Sequence, residues 1–276
     1  MNTIKLRLVA SLVIFATFAI FLNGCRKENI DNNMNAAEDN ALAEVTFSDV
    51  KSIADEAATG NMSSYKTDAS DGIMSNCATI THDTLSDPRV LTIDFGTSNC
   101  LCNDGRTRRG IIIVTYSGPY REPGHVHTIT FDNYFVNDNQ VLGTKTVTNN
   151  GYNNDGNLYY SIEIDGSIIR ANGAGTLEFV SSRVREWIEG ESTPQWNDDV
   201  YLVTGTASGT NSEGGSFTAE ITSALRRTVA CHQFVSGTAQ ITPANRPTRY
   251  IDFGDGACDN QATVTVNGNE HIIQLH

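Results

Sequence analysis

The chain has 276 residues, of which 39% are hydrophobic and 18% are charged, and its acidic residues outnumber its basic ones by 32 to 19. A nucleic-acid-binding protein needs a basic surface that neutralises phosphates, so the formal net charge of -13 argues against that class. The length suffices for one domain with a substantial core.

The first residues are typical of an export signal. Lys5 and Arg7 precede an apolar stretch, residues 8–22, which is too short for a comfortable membrane span. The segment ends in Leu-Asn-Gly-Cys at Cys25, which resembles the lipobox of bacterial lipoproteins. The resemblance implies a signal peptide over residues 1–24, a lipid on Cys25, and a protein held at the outer membrane, on the periplasmic face or the cell surface.

Two segments precede the β-rich part of the chain. Residues 25–45 are rich in Asn, Asp, Glu and Ala, which predicts a flexible, solvated tether. Thr46 and Asp49 then form a capping-box pattern, apolar residues follow at helical spacing, and Gly60 can end the helix. We therefore predict one short helix over residues 46–60, which covers an apolar edge or end of the next domain.

The remainder has the period-two pattern of β-strands. Apolar and polar residues alternate most clearly over residues 158–164. Asp165-Gly166 and Asn267-Gly268 are typical of two-residue hairpin turns. We predict an all-β fold, an antiparallel meander forming a sandwich or partial barrel, as a single domain over residues 61–276.

An internal duplication brackets this domain. The tetrapeptide Ile-Asp-Phe-Gly occupies residues 93–96 and again residues 251–254. Each copy is preceded by a proline and an arginine and flanked by cysteines, so the repeated segments are 77–100 and 231–258. The duplication concerns architecture and does not name a ligand.

The cysteines indicate an oxidising compartment. Exported chains form disulfides, and each repeated segment is expected to close its own loop. We therefore predict the pairs Cys77–Cys100 and Cys231–Cys258. Cys102 is then the odd thiol, and it could exchange places with Cys100 because the two are only two residues apart.

Gly-Thr pairs recur at a nearly fixed interval in the middle of the chain. They begin at Gly143, Gly175, Gly205 and Gly237, with spacings of 32, 30 and 32 residues. A glycine in a strand commonly marks a bulge or a close approach of two backbones. One bend per hairpin would curl the meander; the alternative is coincidence in a chain rich in Gly and Thr.

Two patterns raise catalytic or metal chemistry. Asp94 and Asp252 hold matching positions, as a paired-carboxylate glycosidase site would require. Each, however, lies between two inward apolar residues, so we expect it to accept backbone N–H bonds at a strand end. His125 and His127 share a strand face but lack a third metal ligand nearby. With no nucleophile elbow or phosphate loop either, we predict no catalytic residue, metal or cofactor.

One surface favours binding. Arg185 and Trp187 lie on one face of a predicted strand, and Trp196 and Tyr201 follow across an acidic, polar loop. Aromatic rings in such a setting suit stacking against sugar rings or partner proteins. We take these four residues as the candidate ligand-binding site. The alternative is that Trp187 packs against arginine stems and Trp196 plugs an open end of the sheet.

Several segments from Cys77 to the end are similar to a family of Bacteroidota-type bacterial lipoproteins without an established activity. The resemblance is carried by the following segments: residues 93–96, 104–110, 130–134, 146–151, 205–211 and 251–256. It implies export and a β-fold and leaves the function open.

Together these patterns predict a lipid-anchored cell-envelope protein that acts as a non-catalytic surface binding module for a glycan or an envelope protein. Its membrane partner would be reached through the lipid at Cys25. The alternative is a structural or assembly component of the envelope, and a hydrolase is the third reading.

Overall fold

The computed structural model describes residues 31, 33–60, 73–74, 76–118, 122–193, 195 and 198–275. The signal peptide, the lipidation site Cys25 and the candidate ligand-binding Trp196 lie outside these residues. The helix and the sheet described below belong to one compact unit, Asn32–His276. In the described parts of the chain, no helix combines the length and the apolar character that crossing a bilayer requires.

Within the described residues, one α-helix is followed by fourteen strands, with short 3-10 helices at Ala171–Gly173 and Val229–Cys231. The helix α1 and the first seven strands are α1 (Asn35–Gly60), β1 (Thr79–Asp83), β2 (Arg89–Asp94), β3 (Cys100–Leu101), β4 (Thr107–Tyr116), β5 (Val126–Val136), β6 (Asn139–Tyr152) and β7 (Leu158–Ile169). The other seven strands are β8 (Thr176–Glu189), β9 (Val200–Thr210), β10 (Ser216–Thr228), β11 (Phe234–Pro243), β12 (Arg249–Asp255), β13 (Gln261–Val266) and β14 (Asn269–Gln274).

All fourteen strands belong to a single antiparallel sheet. They follow sequence order from β1 to β14, except that β3 pairs with β4 beside the main path. The two end strands β1 and β14 are not paired with each other, so the sheet is not closed. The predicted all-β, antiparallel meander is therefore confirmed.

Three of the four recurring glycines lie where strands bend, as predicted, whereas Gly175 lies in the connection between β7 and β8. Gly143, Gly205 and Gly237 have φ angles of 103°, 122° and 101°. A Cβ atom at these positions would lie 2.3, 2.2 and 2.4 Å from a backbone oxygen of the neighbouring strand. Each also lies beside a register shift in its strand pairing. Only glycine tolerates both the positive φ and the close approach, so the repeat marks the sites where the strands bend.

The sheet curls around α1. The helix contacts β2, β4, β8 and β11. Lys145 on β6 also donates to the backbone oxygen of Phe47, at 2.6 Å. The Phe47 ring is buried and stacks on Phe179 of β8, with 6.0 Å between centroids. Since one helix reaches strands so far apart in the sheet, it lies inside the curl rather than over an edge or end.

The predicted start of the helix was wrong. The helix begins at Asn35, so residues 35–45, which we expected to be a tether, are helical and mostly buried. Acidic and amide side chains in this segment suggested solvent exposure. Asp39 and Glu44 are instead buried and paired with arginines far along the chain, for which the local sequence carries no signal. The predicted end at Gly60 is correct.

One of the two predicted hairpin turns is present. Asn267-Gly268 connects β13 and β14, as expected. Asp165-Gly166, in contrast, lies within β7, and Gly166 is paired with Gly143. A Cβ atom at Gly166 would lie 2.5 Å from the Phe47 ring. This glycine therefore makes room for the helix and does not form a turn.

The duplicated segments carry the predicted disulfides, Cys77–Cys100 and Cys231–Cys258, each with 5.6 Å between Cα atoms. Cys102 is free and buried. The repeats therefore clasp two separate regions of one sheet.

The matching aspartates each bond a backbone N–H two residues further on, Asp94 at the end of β2 and Asp252 within β12. Asp94 accepts the backbone N–H of Gly96 at 2.7 Å, and Asp252 accepts that of Gly254 at 2.9 Å. This is the local structural role expected from their position between inward apolar residues.

Candidate functional site

The sequence-predicted binding residues lie on the inner face of the sheet. Arg185, Trp187 and Tyr201 are 6%, 3% and 2% exposed. The Arg185 guanidinium lies 3.5 Å from the centre of the Tyr201 ring, and the Trp187 indole N–H donates to the backbone oxygen of Glu189. The expectation that these three form an exposed surface is therefore wrong, because the alternation of the strand turns them toward the helix. Trp187 packs against the Tyr201 ring, with 5.4 Å between centroids, and Tyr201 in turn contacts Arg185; the expected role of Trp196 as a plug lies outside the described residues.

The inner face is also ionic. Acidic residues of α1 are paired with arginines of the sheet and its loops. Asp49 contacts Arg106, Arg108 and Arg227, the last at 2.5 Å. Glu44 pairs in the same way with Arg183. A charge this deeply buried is tolerated only when it is paired, so the helix and the sheet require one another.

Proton affinities on the inner face reflect the burial of these charges. Burial and the neighbouring guanidinium groups lower the pKa of Arg106 to about 9 and that of Arg227 to about 9. Burial alone would also lower the pKa of Arg108, but its bonds to Asp104 raise it. Burial likewise holds the pKa of Lys145 well below its ordinary value. These shifts arise among groups that already satisfy one another, so they indicate structural rather than catalytic roles.

Glu56 fastens the end of the helix. Its carboxylate accepts the backbone N–H groups of Ile73, at 2.7 Å, and Met74, at 3.3 Å. Burial raises the pKa of Glu56 to about 7, against the lowering effect of these two hydrogen bonds and of Arg108. The link between the helix and the segment that leads to the sheet is therefore sensitive to pH near neutrality.

A groove crosses the outer face of the sheet over β7 to β11, with a cavity volume of about 480 Å³. Small hydroxyl side chains predominate in its lining. The lining residues are Glu163, Val180, Ser181, Ser182, Thr206, Ala207, Ser208, Thr218, Ala219, Glu220, Gln240 and Thr242. Period-two alternation produces this face, with Ser and Thr pointing outward along β9 and β10, while on β8 Val180 points outward and Ser181 is buried. We call this cavity the outer groove.

A row of hydrogen-bonding side chains lies across the outer groove and continues to an aromatic ring. Thr206, Glu220, Gln240 and Tyr250 are successive cross-strand partners on β9, β10, β11 and β12. At a strand spacing of about 4.8 Å the row is about 14 Å long. Tyr250 is 56% exposed, so its ring is available to a ligand.

A second cavity, of about 600 Å³, continues the outer groove toward one end of the sheet. The two cavities share Thr218 and Thr242. The second extends from Ser216 to the turn between β11 and β12, where it is lined through Pro247. The groove is therefore open from the middle of the outer face to the rim of the sheet.

The charge of the outer groove limits its ligands. Glu163 and Glu220 are the ionisable side chains of the 480 Å³ cavity, where no Lys or Arg is among the described lining residues, and Arg246 lines the second cavity near the rim. Anionic ligands such as phosphates and sulfates need cationic partners. The lining therefore favours a neutral, hydroxyl-rich ligand.

The same two acids are poorly arranged for glycoside hydrolysis. Glu163 lies on β7 and Glu220 on β10, so β8 and β9 separate them. Three strand spacings amount to about 14 Å, whereas the carboxyl groups of glycosidases lie roughly 5 to 9.5 Å apart. Glu163 is also engaged by the Ser182 hydroxyl, which donates to it at 2.8 Å. These two carboxylates therefore do not match the separation of a glycosidase pair.

The two histidines considered as metal ligands have different surroundings. His127 is buried edge-on against the Tyr116 ring, with 5.9 Å between centroids. His125 lies beside the Ser117 hydroxyl, at 3.4 Å. Among the residues that the structure describes, no group of three or more His, Cys, Asp or Glu is placed to hold a metal ion.

No protein-family model, curated protein or solved structure matches the chain. The functional argument therefore depends on the geometry of the outer groove. Sequence reasoning missed this groove because its residues come from five strands whose register is not visible in the sequence. The available signal was the alternation of Ser and Thr with apolar residues along β9, β10 and β11.

Proposed function

We propose that this chain is a lipid-anchored cell-envelope protein that binds a neutral oligosaccharide in the outer groove without catalysing its cleavage. The observation that carries the proposal is the row Thr206, Glu220, Gln240 and Tyr250 across the outer face. Hydroxyl, amide and carboxylate groups hydrogen-bond sugar hydroxyls, and an exposed tyrosine ring offers a stacking surface at low entropic cost.

Export and anchoring are supported by three features of the chain. The basic and apolar start followed by Cys25 is typical of a lipoprotein signal. Cys77–Cys100 and Cys231–Cys258 are disulfides, which persist in oxidising compartments. The resemblance to Bacteroidota-type lipoproteins favours the outer membrane as the site of attachment.

The filled interior supports binding on the outside. Helix α1 occupies the space inside the curled sheet, and the aromatic residues there already contact arginines and one another. A sugar could reach Trp187 or Tyr201 only if the helix were displaced. The outer groove needs no such rearrangement.

The experiment is a glycan array probed with the full-length chain and with Tyr250→Ala. We expect binding to neutral oligosaccharides, weakened at least about tenfold by Tyr250→Ala because the loss of one stacked ring costs roughly 1–3 kcal/mol. Tyr152→Ala is the matched control, because Tyr152 is a tyrosine of similar exposure, 60%, outside the groove. Absence of glycan binding, or binding that Tyr250→Ala leaves intact, contradicts the proposal.

A role in envelope assembly is the second candidate, and the unpaired edge of β14 favours it. An open edge strand can pair with a strand of another chain. Ile272 on this strand is 67% exposed. If assembly is the function, Ile272→Lys should abolish cross-linking to an envelope partner and leave the glycan array unchanged.

A further inference from the structure

We infer that the outer groove binds the neutral oligosaccharide headgroup of a lipid in the same membrane that anchors the chain. This inference rests on the proposed glycan binding and on the proposed lipid at Cys25. It is argued from where the groove ends, where the chain enters the domain, and how few residues separate that entry from the anchor.

The groove ends at the turns of one rim of the sheet. The second cavity is lined by Ser216, where β10 begins, and by residues of the β11–β12 turn as far as Pro247. The two turn regions are joined by a hydrogen bond from the backbone N–H of Ala244 to the backbone oxygen of Ser216, at 2.8 Å. A ligand lying along the groove would therefore leave the domain at this rim.

The chain enters the domain at the same rim. Arg249 donates one guanidinium N–H to the backbone oxygen of Asn33, at 3.0 Å, and another to the backbone oxygen of Pro247, which lines the groove. The Asn33 side chain donates to Glu213 in the β9–β10 turn, at 2.9 Å. One buried guanidinium thus connects the entering chain to the mouth of the groove.

The entry point has a short connection to the lipid. Cys25 and Asn33 are eight residues apart in the sequence. A fully extended chain spans at most about 3.5 Å per residue, so the sulfur that carries the lipid cannot lie more than about 30 Å from Asn33. Arg249 bonds both Asn33 and Pro247, so the mouth of the groove can lie only slightly farther than this from the lipid. An oligosaccharide that projects from the surrounding bilayer is within reach of the groove.

The charge balance agrees with a neutral headgroup. The chain carries a formal net charge of -13, and two of its carboxylates, Glu163 and Glu220, line the 480 Å³ cavity. An anionic headgroup held close to such a surface would be repelled. A neutral glycolipid meets no such penalty and can donate its hydroxyl hydrogens to the carboxylates.

The test uses the full lipidated chain in phosphatidylcholine vesicles, with digalactosyldiacylglycerol as the neutral glycolipid. The glycolipid is placed either in the same vesicles as the protein or in separate vesicles at the same total concentration. Oxidation of Tyr250 by hydroxyl radicals reports whether the groove is occupied, and Tyr152 serves as the internal control because it lies elsewhere on the surface.

We expect Tyr250 oxidation to slow by about threefold or more when protein and glycolipid share a membrane, which corresponds to occupancy above about two-thirds. Separate vesicles should give no protection. Insertion of a flexible Gly/Ser segment of about 20 residues after Asp31 should relax the constraint and produce protection by separate vesicles as well.

Equal protection in the two arrangements for the unmodified chain overturns the inference, as does the absence of protection in both. In the latter case the glycan array separates the two proposals. An array on which the chain binds free oligosaccharides leaves the proposed function standing and removes only the membrane-bound ligand. An array without binding removes both.

Discussion

The two faces of the sheet use polar side chains in opposite ways. On the inner face, Asp49 and Glu44 are buried and paired with arginines, so their hydrogen-bonding capacity is consumed within the chain. On the outer face, Thr206 and Glu220 point to solvent and remain accessible to a ligand. The difference shows that a cluster of Arg and aromatic residues can serve the folded structure, while the hydroxyl residues of the other face remain accessible for the binding proposed above.

The inner charges also restrict how the helix can lie. Buried ion pairs add little stability over apolar packing, but removing one partner leaves a buried charge uncompensated. Asp39, Glu44 and Asp49 recur at five-residue intervals along the helix. They pair with Arg170, Arg183 and the arginines around Asp49, respectively. A helix shifted by one turn would break all of these pairs together.

The largest effect is expected for Asp49→Ala. The substitution leaves Arg106, Arg108 and Arg227 without this carboxylate, so we expect the free energy of unfolding to fall by about 3 to 5 kcal/mol in chemical denaturation. Glu220→Gln on the outer face is the control and should change it by less than about 0.5 kcal/mol. Comparable losses for the two variants would remove the distinction between the faces.

A smaller decrease in the free energy of unfolding is expected for a substitution where a strand bends. Gly205→Ala places a Cβ atom 2.2 Å from the Ser182 backbone oxygen at a φ of +122°. We expect a loss of about 2 to 3 kcal/mol, measured by the same denaturation experiment. Gly256→Ala is the matched control, since its φ is +114° with nothing within 4 Å, and it should cost about 1 kcal/mol. If the two variants lose equal stability, the close approach at Gly205 is not what requires glycine.

Stability should depend on pH through Glu56. Its pKa is raised from 4.5 to about 7, so the folded chain holds a proton over this window that the unfolded chain has released. The unfolding free energy should therefore fall as the pH rises from 4.5 to 7 and level off above it. Glu56→Gln removes this titration, so its stability relative to the native chain should rise over the same window. A difference that stays constant with pH would contradict the assignment.

The smallest effect concerns reactivity rather than stability. Burial raises the pKa of the Cys102 thiol, so the folded chain should hold little thiolate and expose little of it. We expect alkylation by iodoacetamide to be at least about tenfold slower in the folded chain than in the chain unfolded in guanidinium without reductant. Equal rates would show that reagents reach the inner face.

Local patterns predicted the features that depend on neighbouring residues. Alternation over residues 158–164 gave β7 its buried face, and the repeated spacing of Gly143, Gly205 and Gly237 gave the bends. Asp94 and Asp252 each lie between two inward-pointing apolar residues, which predicted that their side chains accept backbone N–H bonds. Both side chains do so. In each case the interaction involves the residue itself or the adjacent strand.

Long-range pairing explains what the sequence did not reveal. Asp39 pairs with Arg170, 131 residues away, so the segment before residue 46 showed only its polar composition and not its burial. Arg185 and Trp187 were correctly placed on one strand face. The alternation of side chains along a strand, however, does not show which of its two faces points into the core. The outer groove was not predicted for the same reason. Thr206 and Tyr250 belong to one row of side chains only because of the register of four strands.

Hydroxyl-radical footprinting of the folded chain tests most directly whether the inner face is sealed and the outer face is open. Tyr250 is 56% exposed, while Trp187 and Tyr201 are 3% and 2% exposed. We predict rapid oxidation of Tyr250 and slow oxidation of Trp187 and Tyr201, although indole is intrinsically reactive, with all three reacting rapidly after unfolding. Oxidation of Trp187 as fast as Tyr250 in the folded chain would contradict the account and return the binding site to the inner face.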